Sequence, residues 1–135
     1  MPSKEMVALD TYKKIPLGIS NFEKIITENF LYVDKTKYIE TLKNLQNQTQ
    51  IFLRPRRFGK SLFLTMLQNY YDINRTDKFE KLFGELYIGK HPTPLRNSYM
   101  TLPLSFSGLN TDDRTELKSG FEGSIAISMR EMINR

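Results

Sequence analysis

Ile51-Phe52-Leu53-Arg54-Pro55-Arg56-Arg57-Phe58-Gly59-Lys60-Ser61-Leu62 runs from three apolar, β-prone residues through an arginine-rich loop into a Gly-Lys-Ser triplet. A short apolar run of this kind suits a buried parallel strand. After Ser61, apolar residues at Leu62, Phe63, Met66, Leu67, Tyr70 and Tyr71 recur at helical spacing and predict a helix ending near Asn74. Strand, loop and helix in that order is what a phosphate cradle requires. Consecutive backbone N–H groups curl round the anion at a helix N-terminus, and the partial positive charge of the helix adds to theirs.

The usual P-loop pattern is GxxxxGK followed by Ser or Thr. Gly59-Lys60-Ser61 supplies its second half, while position 54, where the first glycine would stand, is Arg. In this reading Gly59 lets the main chain approach a phosphate, Lys60 reaches the β and γ oxygens, and the Ser61 hydroxyl ligates Mg²⁺. Arg54, Arg56, Arg57 and Lys60 fall within seven positions and concentrate positive charge where one anionic group can meet several donors. The same arginines also suit a solvated basic loop, and Phe58, Tyr70 and Tyr71 suit a core without any nucleotide.

Upstream, Ser20 stands three residues before Glu23, with Phe22, Ile25 and Ile26 following, which predicts a short helix opened by a capping box. Phe30 to Val33 reads as a short strand. Asp34 then reads as the cap of a helix from Lys35 to about Leu45, with Tyr38, Ile39, Leu42 and Leu45 on one face. Phe30-Leu31-Tyr32-Val33-Asp34 has the outline of a Walker B strand, but it precedes the loop instead of following it, so the helix-cap role is preferred.

Downstream, Phe79, Leu82, Phe83 and Leu86 predict another short helix, and Gly89 to Asn97 a loop containing two prolines. Tyr99 to Phe106 reads as a second strand, placed at an edge or bend because Pro103 cannot donate to a ladder. A last helix is predicted from Asp113 onward by Leu117, Phe121, Ile125, Met129, Met132 and Ile133, weakened by Gly120 and Gly123.

With 135 residues and 39% hydrophobic content, the chain is long enough for one domain with its own core. No apolar run is long enough to span a bilayer, and no secretory signal layout opens the sequence. The absence of cysteine removes disulfides, thiolate metal sites and cysteine nucleophiles. The single histidine, His91, lies in the turn-like stretch Lys90-His91-Pro92-Thr93-Pro94 and reads as a solvated loop residue. The formal charge of +5 suits phosphate ligands or nucleic acid.

Three ordered blocks carry a resemblance. Ile15-Pro16-Leu17-Gly18-Ile19-Ser20-Asn21-Phe22, Tyr32-Val33-Asp34-Lys35-Thr36 and Arg54 to Leu62 together resemble the N-terminal part of the bacterial AAA-ATPase-like family, over about Lys14 to Phe106. The resemblance implies a P-loop ATPase domain, usually joined to a C-terminal restriction-endonuclease-like nuclease domain, with the arginine-rich loop in place of the first glycine. It maps Lys60 and Ser61 onto the Walker A lysine and hydroxyl and Asp34 onto an acidic position of the structure or the pocket edge. No Walker B acid, sensor residue or nuclease carboxylate is identifiable before Arg135.

The expectation is an α/β, P-loop NTPase-like three-layer α/β/α core with an incomplete or truncated sheet, spanning residues 15–135 behind a tail of residues 1–14. It is expected to be cytoplasmic and to bind ATP and Mg²⁺ through Arg54, Pro55, Arg56, Arg57, Phe58, Gly59, Lys60, Ser61 and Leu62. Lys60 would be the catalytic cation and Ser61 the metal contact, with binding expected to outrun hydrolysis. Two other readings stay open: a nucleic-acid-binding module whose arginines contact backbone phosphates, and an interaction protein docking on a partner. An incomplete sheet would also leave an edge for self-association.

Overall fold

The computed structural model describes residues 12–45 and 49–134. Its helices are α1 (Phe22–Thr27), α2 (Tyr38–Asn44), α3 (Lys60–Tyr71), α4 (Phe79–Phe83), α5 (Tyr87–Lys90) and α6 (Arg114–Ile133), with a 3-10 segment Ile73–Lys78 between α3 and α4. The polar residues 46–48 and most of the expected tail lie outside the described residues.

The core forms where the apolar stripes of α1, α2, α3, α4 and α5 meet. Phe22, Ile39, Met66, Tyr70, Phe83 and Ile88 are fully buried there. Each such side chain contributes roughly 1.5–3 kcal/mol relative to exposure. Aromatic geometry sets the register: Phe22 stacks on Phe83 at 5.0 Å, and Tyr70 meets Phe83 edge-on at 5.6 Å.

Polar contacts then fix how α1 sits. Its N-cap is Asn21, whose side chain accepts from Lys24 N at 3.0 Å. The expected capping box from Ser20 does not form, because Asn21 takes the cap position and the Glu23 carboxylate goes to Arg75 and Lys78; the Ser20 carbonyl accepts from the Thr65 hydroxyl on α3 at 2.9 Å. The same hydroxyl accepts from Phe22 N at 3.0 Å, so one threonine ties the start of α1 to α3. Glu23 is taken by Arg75 at 2.7 Å and Lys78 at 2.8 Å, which ties α1 to the 3-10 segment.

The three-layer α/β/α core is not what forms. Among the described residues there is no strand and no sheet, and the β pairing found is an isolated parallel bridge between Asp72 and Tyr99. Ile51 and Leu53 are 79% and 84% exposed, and the segments 30–33 and 99–106 likewise stay out of strands. The physical reason is that a strand is stable only when its amides and carbonyls find a neighbour. An apolar run records a capacity to pair, not a partner. Among the described residues each of these apolar segments lacks a ladder, and the pairing of Tyr99 with the end of α3 stops at one bridge.

Helix boundaries shift for local reasons. α3 ends at Tyr71, where Asp72 turns extended and its side chain accepts from Asn74 N at 3.0 Å, opening the 3-10 segment. Asp72 is fully buried, and its other carboxylate oxygen accepts from the Thr101 hydroxyl at 2.6 Å. That bond and the Tyr99 N to Tyr71 O bond at 3.0 Å pin the segment after residue 97 against the end of α3. Leu86 falls outside the short helix expected around it and becomes the N-cap of α5. Gly89 and Lys90, expected in a loop, belong to α5, while His91 caps it, exposed, with its ring stacked on Tyr87 at 4.6 Å.

α6 forms as the spacing after Asp113 predicts, with Asp113 accepting from Thr115 N at 2.7 Å. None of its residues is buried. Its attachment is through Phe121, which stacks on Phe106 at 5.6 Å, and through Leu109, which sits close to Gly120.

The joint between α4 and α5 makes one glycine irreplaceable. A Cβ at Gly89 would stand 1.8 Å from the Phe83 carbonyl oxygen, which is backbone and cannot swing aside. Gly89→Ala is expected to destabilise by about 2–3 kcal/mol, whereas Gly123→Ala, with nothing within 4 Å of the added methyl, should stabilise by up to about 1 kcal/mol. Urea unfolding midpoints of the two variants check this, and equal midpoints would contradict the close approach at Gly89.

Candidate functional site

The corner between Leu53 and α3 is built by backbone conformation before any side chain acts. The chain turns at Arg56 and Arg57, bends at Phe58 and Gly59, and enters α3 at Lys60. Arg57 and Gly59 both take left-handed conformations, with φ of 65° and 76°. Glycine adopts this without penalty, while Arg57 holds it at a cost. Alternating handedness makes successive amides converge into a concavity that suits an anion.

Gly59 is the N-cap of α3 and offers no side chain to the first turn. The first helical bond recorded at this corner runs from Phe63 N to Gly59 O at 2.9 Å. Among the described residues, no protein acceptor takes the amides of residues 56–62. Those groups are therefore left without a protein partner at the positive end of a 12-residue helix. The Lys60 ammonium folds back and donates to the Arg54 carbonyl at 2.9 Å, closing the loop on itself.

Residues 51–61 are all exposed and Leu62 is half-buried. Arg54, Arg56, Arg57 and Lys60 thus lie together on one exposed loop, and no carboxylate among the described residues pairs with any of them. Four cations without acids leave a positive field over free amides, which suits a polyphosphate. Pro55 sets an extended entry with no donor of its own. Phe58 is exposed, so the core role open to it in the sequence is not the one it takes. Tyr70, by contrast, is core, and Tyr71 packs edge-on against it at 5.1 Å.

Asp34 has a role that its position before Lys35 and Thr36 did not reveal. It does not cap α2 directly, since that helix begins at Tyr38 with Lys37 as a cap lacking a side-chain bond. One carboxylate oxygen accepts from Thr36 N at 2.8 Å and the Thr36 hydroxyl at 2.7 Å, while the other accepts from Tyr87 N at 2.8 Å. Asp34 therefore clasps the turn before α2 to the start of α5. Thr36 is fully buried, and its hydroxyl accepts in turn from Ile88 N at 3.2 Å.

Burial pushes the Asp34 carboxyl up, but the bonds from Thr36 and Tyr87 and the charge of Lys90 outweigh it and bring it below its ordinary value. Glu23 is likewise lowered, first by its bond from Lys78, with burial opposing and Arg75 assisting. For a carboxylate lowered on folding, the stabilisation is present above the unfolded value and lost as pH falls through the folded one. Stability is thus expected to fall below about pH 4, the ordinary carboxylate range. The acid limb should flatten in Asp34→Asn, as read from urea midpoints between about pH 2 and 7. An unchanged acid limb in that variant would remove Asp34 from the account.

Beside the loop lies a cleft of about 310 Å³, bounded by α2 through Tyr38 and Leu42 and by Phe52, Phe58, Gly59 and Lys60. Sequence reading missed it. Tyr38 was grouped with Ile39 on one helical face, but Ile39 is buried while Tyr38 is 59% exposed. The available signal was that adjacent helical positions point in different directions. Among the described residues no group of three or more histidines, aspartates or glutamates is placed to hold a metal, and no helix is long and apolar enough to cross a membrane.

A family model described as predicted AAA-ATPase, AAA-ATPase-like, matches residues 16–135. The chain belongs to the AAA-ATPase-like family. It is 39% identical over 116 residues, 84% of this chain, to the "Uncharacterized protein in vnfD 5'region" of Azotobacter chroococcum mcd 1. The chain spans 20% of the length of that relative. No solved structure matches it. The family is one of predicted ATPases, which agrees with nucleotide binding in general.

Proposed function

We propose that this chain binds ATP·Mg²⁺ through the corner from Arg54 to Leu62. The observation that carries the reading is the set of amides over residues 56–62 without protein acceptors, beside Lys60 and three arginines without acidic partners. Family membership supports the nucleotide as the anion. In this reading the amides of residues 56–61 surround the phosphates, and Lys60 leaves the Arg54 carbonyl to meet the β and γ oxygens. Arg54, Arg56 and Arg57 hold the remaining charge. The Ser61 hydroxyl would be the protein contact for Mg²⁺, an ion bound in nucleotide sites through few protein groups and the substrate phosphates, so that no acidic cluster would be needed. The metal, when bound, neutralises charge on the terminal phosphates.

Binding, and not turnover, is the activity proposed for this segment. Hydrolysis needs a residue that positions water, and among the described residues no carboxylate lines the cleft beside Lys60. For the whole protein, an ATPase domain joined to a nuclease domain is the proposal that the family resemblance carries.

Titration calorimetry with ATP, with and without Mg²⁺, tests the reading, and saturable binding strengthened by Mg²⁺ is expected. The unpaired arginines favour one second reading, contact with nucleic-acid backbone phosphates. That reading predicts affinity for DNA or RNA that falls steeply with salt and ignores ATP as a competitor.

A further inference from the structure

A triphosphate held at residues 54–62 carries a base that must lie somewhere within reach, and the cleft between α2 and the loop is continuous with the phosphate corner. Gly59 and Lys60 line both. Its volume of about 310 Å³ falls at the small end of ligand pockets, suited to one part of a ligand.

Aromatic and aliphatic side chains line the cleft, together with polar ones that include Lys35, Thr41 and Arg54. Phe52 and Phe63 meet edge-on at 5.1 Å and form a rigid apolar side. Tyr38 on α2 and Phe58 on the loop stand at the same cleft, 59% and 65% exposed. Neither makes an aromatic pair with another ring among the described residues. Exposed single hydrophobics are ordinary on a protein surface. Two unpaired rings at a cleft with an aromatic side, next to a cluster of cations, match a planar heteroaromatic group joined to a polyphosphate.

We propose that this cleft is the nucleobase subsite, taking a purine by stacking against Tyr38 and Phe58 while its phosphates run to Lys60. The proposal rests on the phosphate reading of residues 54–62. A purine is favoured over a pyrimidine because stacking grows with the shared ring face, and Tyr38, Phe52, Phe58 and Phe63 bring four rings to the lining. Thr41 and Lys35 on the α2 side add hydrogen-bonding groups for the edge of the base.

The test is calorimetry of the full chain with Mg²⁺ and three probes: ATP, CTP and inorganic tripolyphosphate. The parent is expected to bind ATP at least about fivefold more tightly than tripolyphosphate, the lower end of what stacking one base supplies, with CTP between them. Tyr38→Ala should shrink that advantage and Tyr38→Phe should keep it. Tyr38 is exposed, so the variant is expected to fold, and its far-ultraviolet circular dichroism checks that. Equal affinity of the parent for ATP and tripolyphosphate would overturn the subsite while leaving the phosphate reading intact. An ATP advantage that survives in Tyr38→Ala would also overturn it. Failure of the parent to bind either probe would remove the phosphate reading, and the subsite with it.

Discussion

Tyr70→Ala is expected to cost about 3–5 kcal/mol of unfolding free energy, the range for deleting a large aromatic from a packed interior. Tyr70 is fully buried, and its ring meets Phe83 at 5.6 Å, Phe79 at 5.9 Å and Tyr71 at 5.1 Å. No neighbour is free to fill the space, because the rings around it are themselves held by each other. The hydroxyl adds a second loss: it accepts from Thr93 N at 2.8 Å and shares a bond of 3.0 Å with the Thr93 hydroxyl. Tyr70→Phe keeps the ring but strands a buried amide, and should cost about 1–3 kcal/mol. A domain of this size has only about 5–15 kcal/mol to lose, so the alanine variant stands near the threshold of folding. Urea unfolding of both variants measures the two terms, and a loss below about 1 kcal/mol for Tyr70→Ala would contradict the placement of Tyr70 at the centre of the core.

Lys60→Ala is expected to weaken ATP binding at least about tenfold while leaving stability within about 0.5 kcal/mol of the parent. The separation of the two readouts follows from the geometry. Lys60 is exposed, and its recorded bond is one donation to the Arg54 carbonyl, a group that water can also satisfy. A hydrogen bond from a charged group to a phosphate contributes about 1.5–3 kcal/mol, which is roughly a tenfold to hundredfold change in affinity. Lys60→Arg should recover only part of it, since a planar fork replaces a compact ammonium at a site shaped for a point charge. Calorimetry gives the affinities, and a Lys60→Ala variant that binds ATP like the parent would detach the lysine from the site.

Helices were legible because their signal is local. The apolar spacing after Ser61 and after Asp113 was enough to place α3 and α6 within a few residues. Strands were not, because Ile51, Phe52 and Leu53 specify only a tendency, and the ladder that would realise it depends on segments far away in the chain. Burial followed the same division. Tyr70 and Phe83 could be nominated for a core, but the sequence does not show that Tyr38 faces the loop while Ile39 beside it faces inward.

At the candidate site, the order of Gly59, Lys60 and Ser61 was readable as a pattern, and the blocks around it agree with the family to which the chain belongs. What the pattern could not convey is that Arg57 shares the left-handed conformation of Gly59, since a non-glycine residue gives no advance sign of a positive φ. Nor could it separate the two tasks near α2. Asp34, which sits in a motif upstream of the loop, commits both carboxylate oxygens to Thr36 and Tyr87, and so joins the turn before α2 to α5. Tyr38, which carries no motif, is the residue that reaches the cleft.

The proposed function requires main-chain amides at the strained corner before α3 to hold polyphosphate. Backbone amide resonances of the isotope-labelled chain, recorded during addition of ATP·Mg²⁺, test it at the atoms concerned. The predicted result is that the amide signals of residues 56–61 show the largest saturable shifts. Saturable shifts centred on other residues, with those of Gly59, Lys60 and Ser61 unmoved, would contradict it.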